Sequence, residues 1–233
     1  MNKRIITATF LMAMSSLAGF AQRQFDNLDR GLIAVKSNGG MYCSWRINAD
    51  EYYATTYDLY RDGVKVNDQP LTVSNFTDPN GTLESQYTVK AVHAGQASAD
   101  SKKGLSLANG WLEVKKPKRI SNDGKTDISN QYEPNDATIG DVDGDGEMEL
   151  ITKQLFIGQD PNNTSQADFA RIEVQKLDGT LLWWIDCGPN MWDFQQNEIN
   201  IMAYDWDGDG KAECVARLQD GSVVHMADGT TYT

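Results

Sequence analysis

Two short acidic segments, residues 141–149 and 205–213, have the composition and spacing of metal sites. The ligand positions of the first segment are Asp141, Asp143, Asp145, Glu147 and Glu149. The equivalent positions of the second segment are Asp205, Asp207, Asp209, Lys211 and Glu213. Carboxylates held this close repel one another unless a hard cation lies among them, and Ca²⁺ prefers such oxygen ligands. The sequence therefore predicts one calcium ion in each loop.

The position of each residue in a loop suggests its role. The aspartates and the final glutamate would give carboxylate oxygens, whereas Glu147 and Lys211 would give backbone carbonyls. Gly146 and Gly210 follow the third aspartate and are expected to adopt a positive φ. An EF-hand is excluded because it needs a glutamate at position 12, which is Thr152 in the first loop. One such loop could be an acidic turn that binds nothing, but two copies in the same context favour calcium.

The segments around the loops predict strands. Apolar and polar residues alternate before and after each loop, and again around the Asp-Gly turns at 178–179 and 228–229. A series of strands with one calcium loop per unit is typical of β-propeller blades. Residues 116–233 supply only about two blades, whereas propellers close with at least four. We therefore expect an incomplete calcium-binding β-propeller in this part of the chain.

The amino-terminal residues 1–21 have the features of a secretory signal peptide. Lys3 and Arg4 precede an apolar run from Ile5 to Leu17, and small residues stand at Gly19 and Ala21. The run is shorter than the roughly 20 residues that a membrane span needs. The sequence predicts cleavage after Ala21, export to the periplasm or the medium, and no membrane insertion.

Composition excludes several other classes of function. The 233 residues carry a formal net charge of −12, which argues against a nucleic acid partner. The three cysteines, Cys43, Cys187 and Cys214, allow at most one disulfide, for which Cys187 with Cys214 is the candidate pair. His93 and His225 are isolated in the sequence, so no zinc-type cluster is predicted.

Residues 23–115 predict a separate domain without catalytic features. Short alternating segments are separated by turns such as Asp62-Gly63, which indicates an immunoglobulin-like or fibronectin III-like β-sandwich with Trp45 in its core. The basic run Lys115 to Arg119 follows this domain. We expect a solvated linker there, with a patch for an acidic polysaccharide as the alternative. The whole chain is therefore predicted to be all-β.

Several segments resemble polysaccharide lyase family 11, the rhamnogalacturonan lyases. Residues 25–36 and 60–63 resemble the amino-terminal module of that family. Residues 135–147, 176–183 and 204–213 resemble the start of its calcium-rich propeller. The resemblance follows nearly the whole chain in order, but it corresponds to only the first third or so of such an enzyme.

The resemblance implies an eight-bladed propeller that cleaves rhamnogalacturonan I by β-elimination with Ca²⁺ at the active centre. It makes Asn135 and Asp136 candidates for contact with substrate and calcium. Without the family, an Asx turn before a strand would be the preferred interpretation of these two residues. Trp192, in a loop rich in Pro and Asn, is the candidate sugar platform. The catalytic base and acid are not assigned, and this chain alone is expected to be inactive.

The sequence also departs from the family pattern. Leu155 stands where the family carries a cleft carboxylate, which leaves specificity and catalysis open. An alternative function is therefore kept: a non-catalytic, integrin-like calcium-binding propeller module that binds glycan or protein. Trp183 and Trp184 are adjacent in a predicted strand, so their side chains should face opposite sides of the sheet. Trp206 should face away from the ion of the second loop.

Overall fold

The structure, a computed structural model, describes residues 28–49, 51, 54–158, 166–191 and 200–233. Regular structure in these residues consists of sixteen strands and one short 3₁₀ turn at Ser129–Gln131. The prediction of an all-β chain is confirmed. In the described part of the chain, no helix has the length and apolar character required to cross a bilayer. The predicted signal peptide lies outside the described residues.

The amino-terminal strands form two four-stranded sheets. They are β1 (Ile33–Ser37), β2 (Gly40–Ser44), β3 (Thr55–Arg61), β4 (Val64–Lys65), β5 (Asn75–Asp78), β6 (Tyr87–His93), β7 (Gln96–Ala97) and β8 (Leu105–Leu107). One sheet has the order β5-β2-β1-β8 and the other has the order β4-β3-β6-β7. The pairs within the sheets are antiparallel except for β1 with β8, which is parallel.

The two sheets enclose one apolar core. Alternate residues of β2 and β3, such as Cys43 and Leu59, are fully buried within it. Trp45 is only 5% exposed and packs edge-on against Tyr57, with 5.6 Å between the ring centroids. Burial of these side chains supplies the main driving force for this domain. The arrangement agrees with a two-sheet sandwich that has Trp45 in its core.

The remaining strands form one large and one small sheet. They are β9 (Tyr132–Gly140), β10 (Glu149–Phe156), β11 (Arg171–Gln175), β12 (Leu181–Asp186), β13 (Ile201–Tyr204), β14 (Glu213–Ala216), β15 (Val223–Met226) and β16 (Thr231–Tyr232). The six-stranded sheet has the order β16-β15-β12-β11-β10-β9, and β13 pairs with β14 alone. Ile201 and Ala203 of β13 pack against the buried core of the large sheet, which includes Ile151 and Ile172.

The strands do not form two similar blades, because one sheet has six strands and the other has two. β15 pairs with β12, with Trp184 opposite His225, so it extends the first sheet and does not join β13 and β14. A strand at a sheet edge exposes unpaired backbone groups, and β15 satisfies those of β12. Trp184 stacks on His225 at 4.6 Å, whereas Trp183 packs against the core on the other side of the sheet. The opposite orientation predicted for the two tryptophans is confirmed.

The prediction of a solvated linker at 115–119 is wrong for its last residue. Arg119 is 2% exposed, and its Nε and Nη2 atoms each lie 2.6 Å from a carboxylate oxygen of Glu173 in β11. The guanidinium also lies over the ring of Tyr132, 5.3 Å from its centroid. The segment after the connector therefore packs against one face of the large sheet, a partnership that the local sequence does not reveal.

The suggested disulfide is also not formed. Cys43, Cys187 and Cys214 are all free thiols. Cys187 is fully buried and Cys214 is partly buried in the core between the large and small sheets. Burial raises the pKa of the Cys214 thiol to about 11. These two cysteines therefore act as apolar packing residues.

Candidate functional site

The first acidic loop joins β9 to β10 and is organised by one buried carboxylate. Asp141 Oδ1 accepts hydrogen bonds from the backbone N–H groups of Gly144 (2.8 Å) and Asp145 (3.0 Å). Its Oδ2 atom accepts a third from Gly146, also at 2.8 Å. Three local hydrogen bonds to one side chain fold the chain into a tight turn.

The second loop, between β13 and β14, repeats this geometry. Asp205 Oδ1 accepts from the N–H groups of Gly208 (2.6 Å) and Asp209 (3.1 Å), and Oδ2 accepts from Gly210 (3.0 Å). The φ angle of Gly210 is 91°, and that of Gly146 in the first loop is 87°. The positive φ predicted for these two glycines is confirmed. A nine-residue sequence pattern has therefore produced the same local fold twice.

The last glutamate of each loop turns back towards the second residue of the same loop. Glu149 Oε2 accepts the N–H of Val142 at 2.9 Å, and Glu213 Oε2 accepts the N–H of Trp206 at 2.8 Å. Glu149 is 1% exposed, and its burial, together with the charge of Asp143, raises its pKa. A positive charge in the loop would stabilise the ionised form of this carboxylate.

The carboxylates are close enough to share a cation. In the second loop, one oxygen from each of four side chains lies within 4.8 Å of the others: Asp205, Asp207, Asp209 and Glu213. The first loop gathers three in the same way: Asp141, Asp143 and Glu149. Calcium takes oxygen ligands at roughly 2.3–2.6 Å, so oxygens at this spacing fit such an ion. The Glu147 carboxylate is not part of the first group, and the backbone role predicted for Glu147 and Lys211 stays a prediction.

Lysines neutralise part of the first loop. Lys176 Nζ, from the turn between β11 and β12, lies 2.5 Å from Asp143 Oδ2 and 2.8 Å from Asp145 Oδ2. Lys102 Nζ, from the sandwich, lies 3.4 Å from Asp145 and 3.5 Å from Glu147. The hydrogen bond from Lys176 lowers the pKa of Asp145 to about 2. Sequence reasoning missed both lysines because each is distant from the loop along the chain.

The first loop also contacts the sandwich and the second loop. The N–H of Asp29 donates to the carbonyl of Gly146 at 2.8 Å. The N–H of Ala212 donates to the carbonyl of Asp141 at 2.7 Å. Glycine at position 140 permits the close approach of the two loops, because a Cβ there would lie 2.9 Å from the Cβ of Ala212. The first loop is thus the meeting point of the sandwich, the large sheet and the small sheet.

The predicted substrate residues lie at an irregularity in β9. Thr152 pairs with Ala137 and Gln154 pairs with Pro134, so Asn135 and Asp136 together oppose only Lys153. Such a bulge re-aims side chains and is frequent beside active sites. Both residues lie inside the strand, so they do not form the Asx turn that was the alternative.

The charge at this bulge comes from one exposed and one buried group. The side chain of Asp136 is 80% exposed, whereas that of Lys153 is fully buried, with Nζ 3.9 Å from Asp136 Oδ2. Asn135 is half-buried. The Asp136 carboxylate is therefore accessible to a ligand, with the buried ammonium group of Lys153 beneath it. Leu155, where the family resemblance implies a carboxylate, pairs across the ladder with Glu133.

Of the two loop tryptophans considered in the sequence analysis, the structure describes only Trp206. Trp192 lies outside the described residues, so its predicted role as a sugar platform stays a prediction. Trp206 is 50% exposed, and its ring packs edge-on against Tyr204 at 5.9 Å. Its backbone N–H donates to Glu213 Oε2 and so belongs to the second loop.

Two family models match successive parts of this chain. Residues 23–106 match the rhamnogalacturonan I lyase beta-sheet domain, and residues 111–231 match the C-terminal domain of rhamnogalacturonan lyase family 11. The rhamnogalacturonan endolyase YesW of Bacillus subtilis (strain 168) is 38% identical over 243 aligned residues, which cover 98% of this chain and 38% of that protein. The exolyase YesX of the same organism is 40% identical over 86% of this chain and 33% of that protein.

The solved structures that this fold resembles are also rhamnogalacturonan lyases. The crystal structure of the exotype rhamnogalacturonan lyase YesX matches with a TM-score of 0.71 and 37% identity, over 91% of this chain and 35% of that one. A Bacillus licheniformis rhamnogalacturonan lyase matches with a TM-score of 0.66 and 31% identity, over 90% of this chain and 36% of that one. The chain thus spans little more than a third of the length of these relatives. From its sequence and its fold, the chain belongs to polysaccharide lyase family 11, the rhamnogalacturonan lyases.

Proposed function

We propose that this protein acts in the calcium-dependent cleavage of rhamnogalacturonan by β-elimination. The observation that carries the proposal is the similarity of both parts of the chain, in order, to lyases named for that polysaccharide. The same relatives do not favour a non-catalytic integrin-like module, because they are enzymes. The acidic polysaccharide is therefore the partner that we propose.

The chemistry of the reaction explains the residue types. β-Elimination removes the weakly acidic C5 proton of a galacturonate and expels the sugar at C4, so the protein must supply a base and a proton donor. Calcium, when bound, supplies positive charge beside the carboxylate and stabilises the enolate-like state. In the described residues, the bulge of β9 offers groups for sugar binding. Asn135 would donate from its amide, and Asp136, with Lys153 beneath it, would accept from hydroxyl groups.

The two acidic loops provide the proposed calcium sites. They hold carboxylate oxygens within 4.8 Å of one another, and the buried Glu149 needs a cation to remain ionised at low cost. Calcium in these loops would fix β9 to β10 and β13 to β14, and so would support the strand that carries Asp136. In this proposal, the sheets around the loops are the first part of a β-propeller, and residues 1–21 direct export before removal.

A lyase assay tests this function directly. The full-length gene product would be incubated with rhamnogalacturonan while the near-ultraviolet absorbance of unsaturated uronate is followed, with and without a chelator. We expect absorbance that the chelator abolishes, and a loss of at least tenfold in Asp136→Ala. Asp228→Ala, which changes an acidic residue in a turn outside both loops, is the matched control. Binding of the polysaccharide without any rise in absorbance would overturn the lyase function and leave a binding protein.

A further inference from the structure

The two acidic loops have nearly the same local fold but different cationic surroundings. In the first loop, Lys176 Nζ lies 2.5 Å and 2.8 Å from oxygens of Asp143 and Asp145. These distances approach those between calcium and its oxygen ligands, about 2.3–2.6 Å. The ammonium group thus occupies the space between two carboxylates that would face an ion.

Lys102 adds a second positive charge from another domain. Its Nζ lies 3.4 Å from Asp145 Oδ1 and 3.5 Å from Glu147 Oε1. The backbone N–H of Lys102 is itself fixed by Asp29 Oδ1 at 2.8 Å, and the N–H of Asp29 donates to the carbonyl of Gly146 in the loop. Lys102 is therefore held at the loop by the packing of the sandwich against it.

The consequence is visible in the positions of the carboxylates. All four acidic side chains of the second loop gather their oxygens within 4.8 Å, including the third aspartate, Asp209. In the first loop, the equivalent residue, Asp145, is absent from the group, because its carboxylate turns towards the two lysines. Among the residues that the structure describes, no lysine or arginine forms such an ion pair with the second loop.

We propose that the two loops bind calcium with unequal affinity: the second loop is the tight site, and Lys176 and Lys102 compete with the ion at the first. The inference rests on the proposed calcium binding. To accept an ion, the first loop must release Asp145 from Lys176 or hold a divalent ion beside an ammonium group. The side chains of Lys176 and Asp145 are 30% and 35% exposed, so solvent screening limits the free-energy cost of separating them. We expect an affinity difference of about tenfold.

Calcium titration of the metal-free full chain by calorimetry tests the inference. Asp207→Ala isolates the first loop and Asp143→Ala isolates the second. The Kd in Asp207→Ala should be about tenfold weaker than that in Asp143→Ala. Adding Lys176→Met to Asp207→Ala should recover most of this difference. Lys65→Met, which breaks a 2.7 Å ion pair with Asp58 in the sandwich, is the matched control and should change neither Kd.

The outcomes separate this inference from the proposed function. Equal affinities, or no change on Lys176→Met, would overturn the inference while the calcium proposal stands. No calcium binding in the unmodified chain would overturn both. If Asp207→Ala does not fold, as judged by circular dichroism, the comparison is made with Lys176→Met alone, where the weaker of two fitted affinities should tighten. Terbium luminescence sensitised by Trp206, which lies in the second loop, identifies the tight site independently.

Discussion

Replacement of Arg119 by methionine should destabilise the protein strongly. The Arg119 guanidinium makes two hydrogen bonds of 2.6 Å to Glu173, and both side chains are 1% exposed. Methionine keeps much of the aliphatic volume over Tyr132 but leaves the Glu173 carboxylate without its cation inside the sheet face. The lost stability comes from the buried charge that is left without a partner. The intact ion pair itself makes only a small net contribution to the free energy of unfolding.

The size of the effect follows from comparable buried pairs. Removing one partner of a buried ion pair costs about 3–5 kcal/mol in the free energy of unfolding. For a chain of this size, that loss lowers Tm by roughly 6–20 °C. The double variant Arg119→Met with Glu173→Leu removes both charges, so it should recover most of the lost stability. The recovery is specific to a buried pair, because two independent losses would add.

Urea unfolding followed by tryptophan fluorescence would measure these changes. The matched control is Lys118→Met, one residue away in the same basic run. The side chain of Lys118 is 71% exposed, and its ion pair with Asp127 is long, at 3.7 Å. Its replacement should therefore change the free energy of unfolding by less than about 0.5 kcal/mol. The reasoning would be refuted if Arg119→Met cost no more than Lys118→Met. It would also be refuted if the double variant were less stable than the single one.

Three further predictions concern the loops, a turn and a thiol. Calcium should raise Tm, and Asp143→Ala or Asp207→Ala should each remove part of that increase. Gly40→Ala should destabilise the sandwich by more than about 2 kcal/mol, because φ is 118° and the new Cβ would lie 2.1 Å from a carbonyl oxygen. Gly63 has a φ of 80° but no atom near its Cβ position, so Gly63→Ala should cost only about 1 kcal/mol. Burial raises the pKa of Cys43 to about 12, so stability should fall above pH 9 by up to about 1.4 kcal/mol per pH unit.

The direction of the pH effect follows from proton binding. Above pH 9 the unfolded chain releases the Cys43 proton while the folded chain keeps it until about pH 12, so rising pH favours unfolding. Cys43→Ala should flatten this slope, and an unchanged slope would contradict the assignment. Equal costs for Gly40→Ala and Gly63→Ala would contradict the close contact. Melting curves that do not respond to calcium or to a chelator would refute the proposed metal sites. Asp228→Ala, which changes an acidic residue outside both loops, is the control and should leave the calcium response unchanged.

Local sequence predicted the features that depend on neighbouring residues. The loop at 141–149 closes through hydrogen bonds that the Asp141 carboxylate accepts from backbone N–H groups three to five positions further along, so its shape is encoded within one segment. Period-two alternation likewise predicted strands such as β3 and β6, because successive side chains point to opposite faces. These contacts need no knowledge of the rest of the fold.

Long-range contacts decided the remainder. Lys102 and Lys176 meet the first loop, and Arg119 meets Glu173, across wide separations in sequence. The bulge that brings Asn135 and Asp136 opposite Lys153 depends on the register of two strands. Charge and burial act through space, and a sequence gives only the order of residues along the chain. The sequence by itself therefore determined the two loops and the strand pattern, whereas only the tertiary structure decided which cations face the loops and which charges are buried.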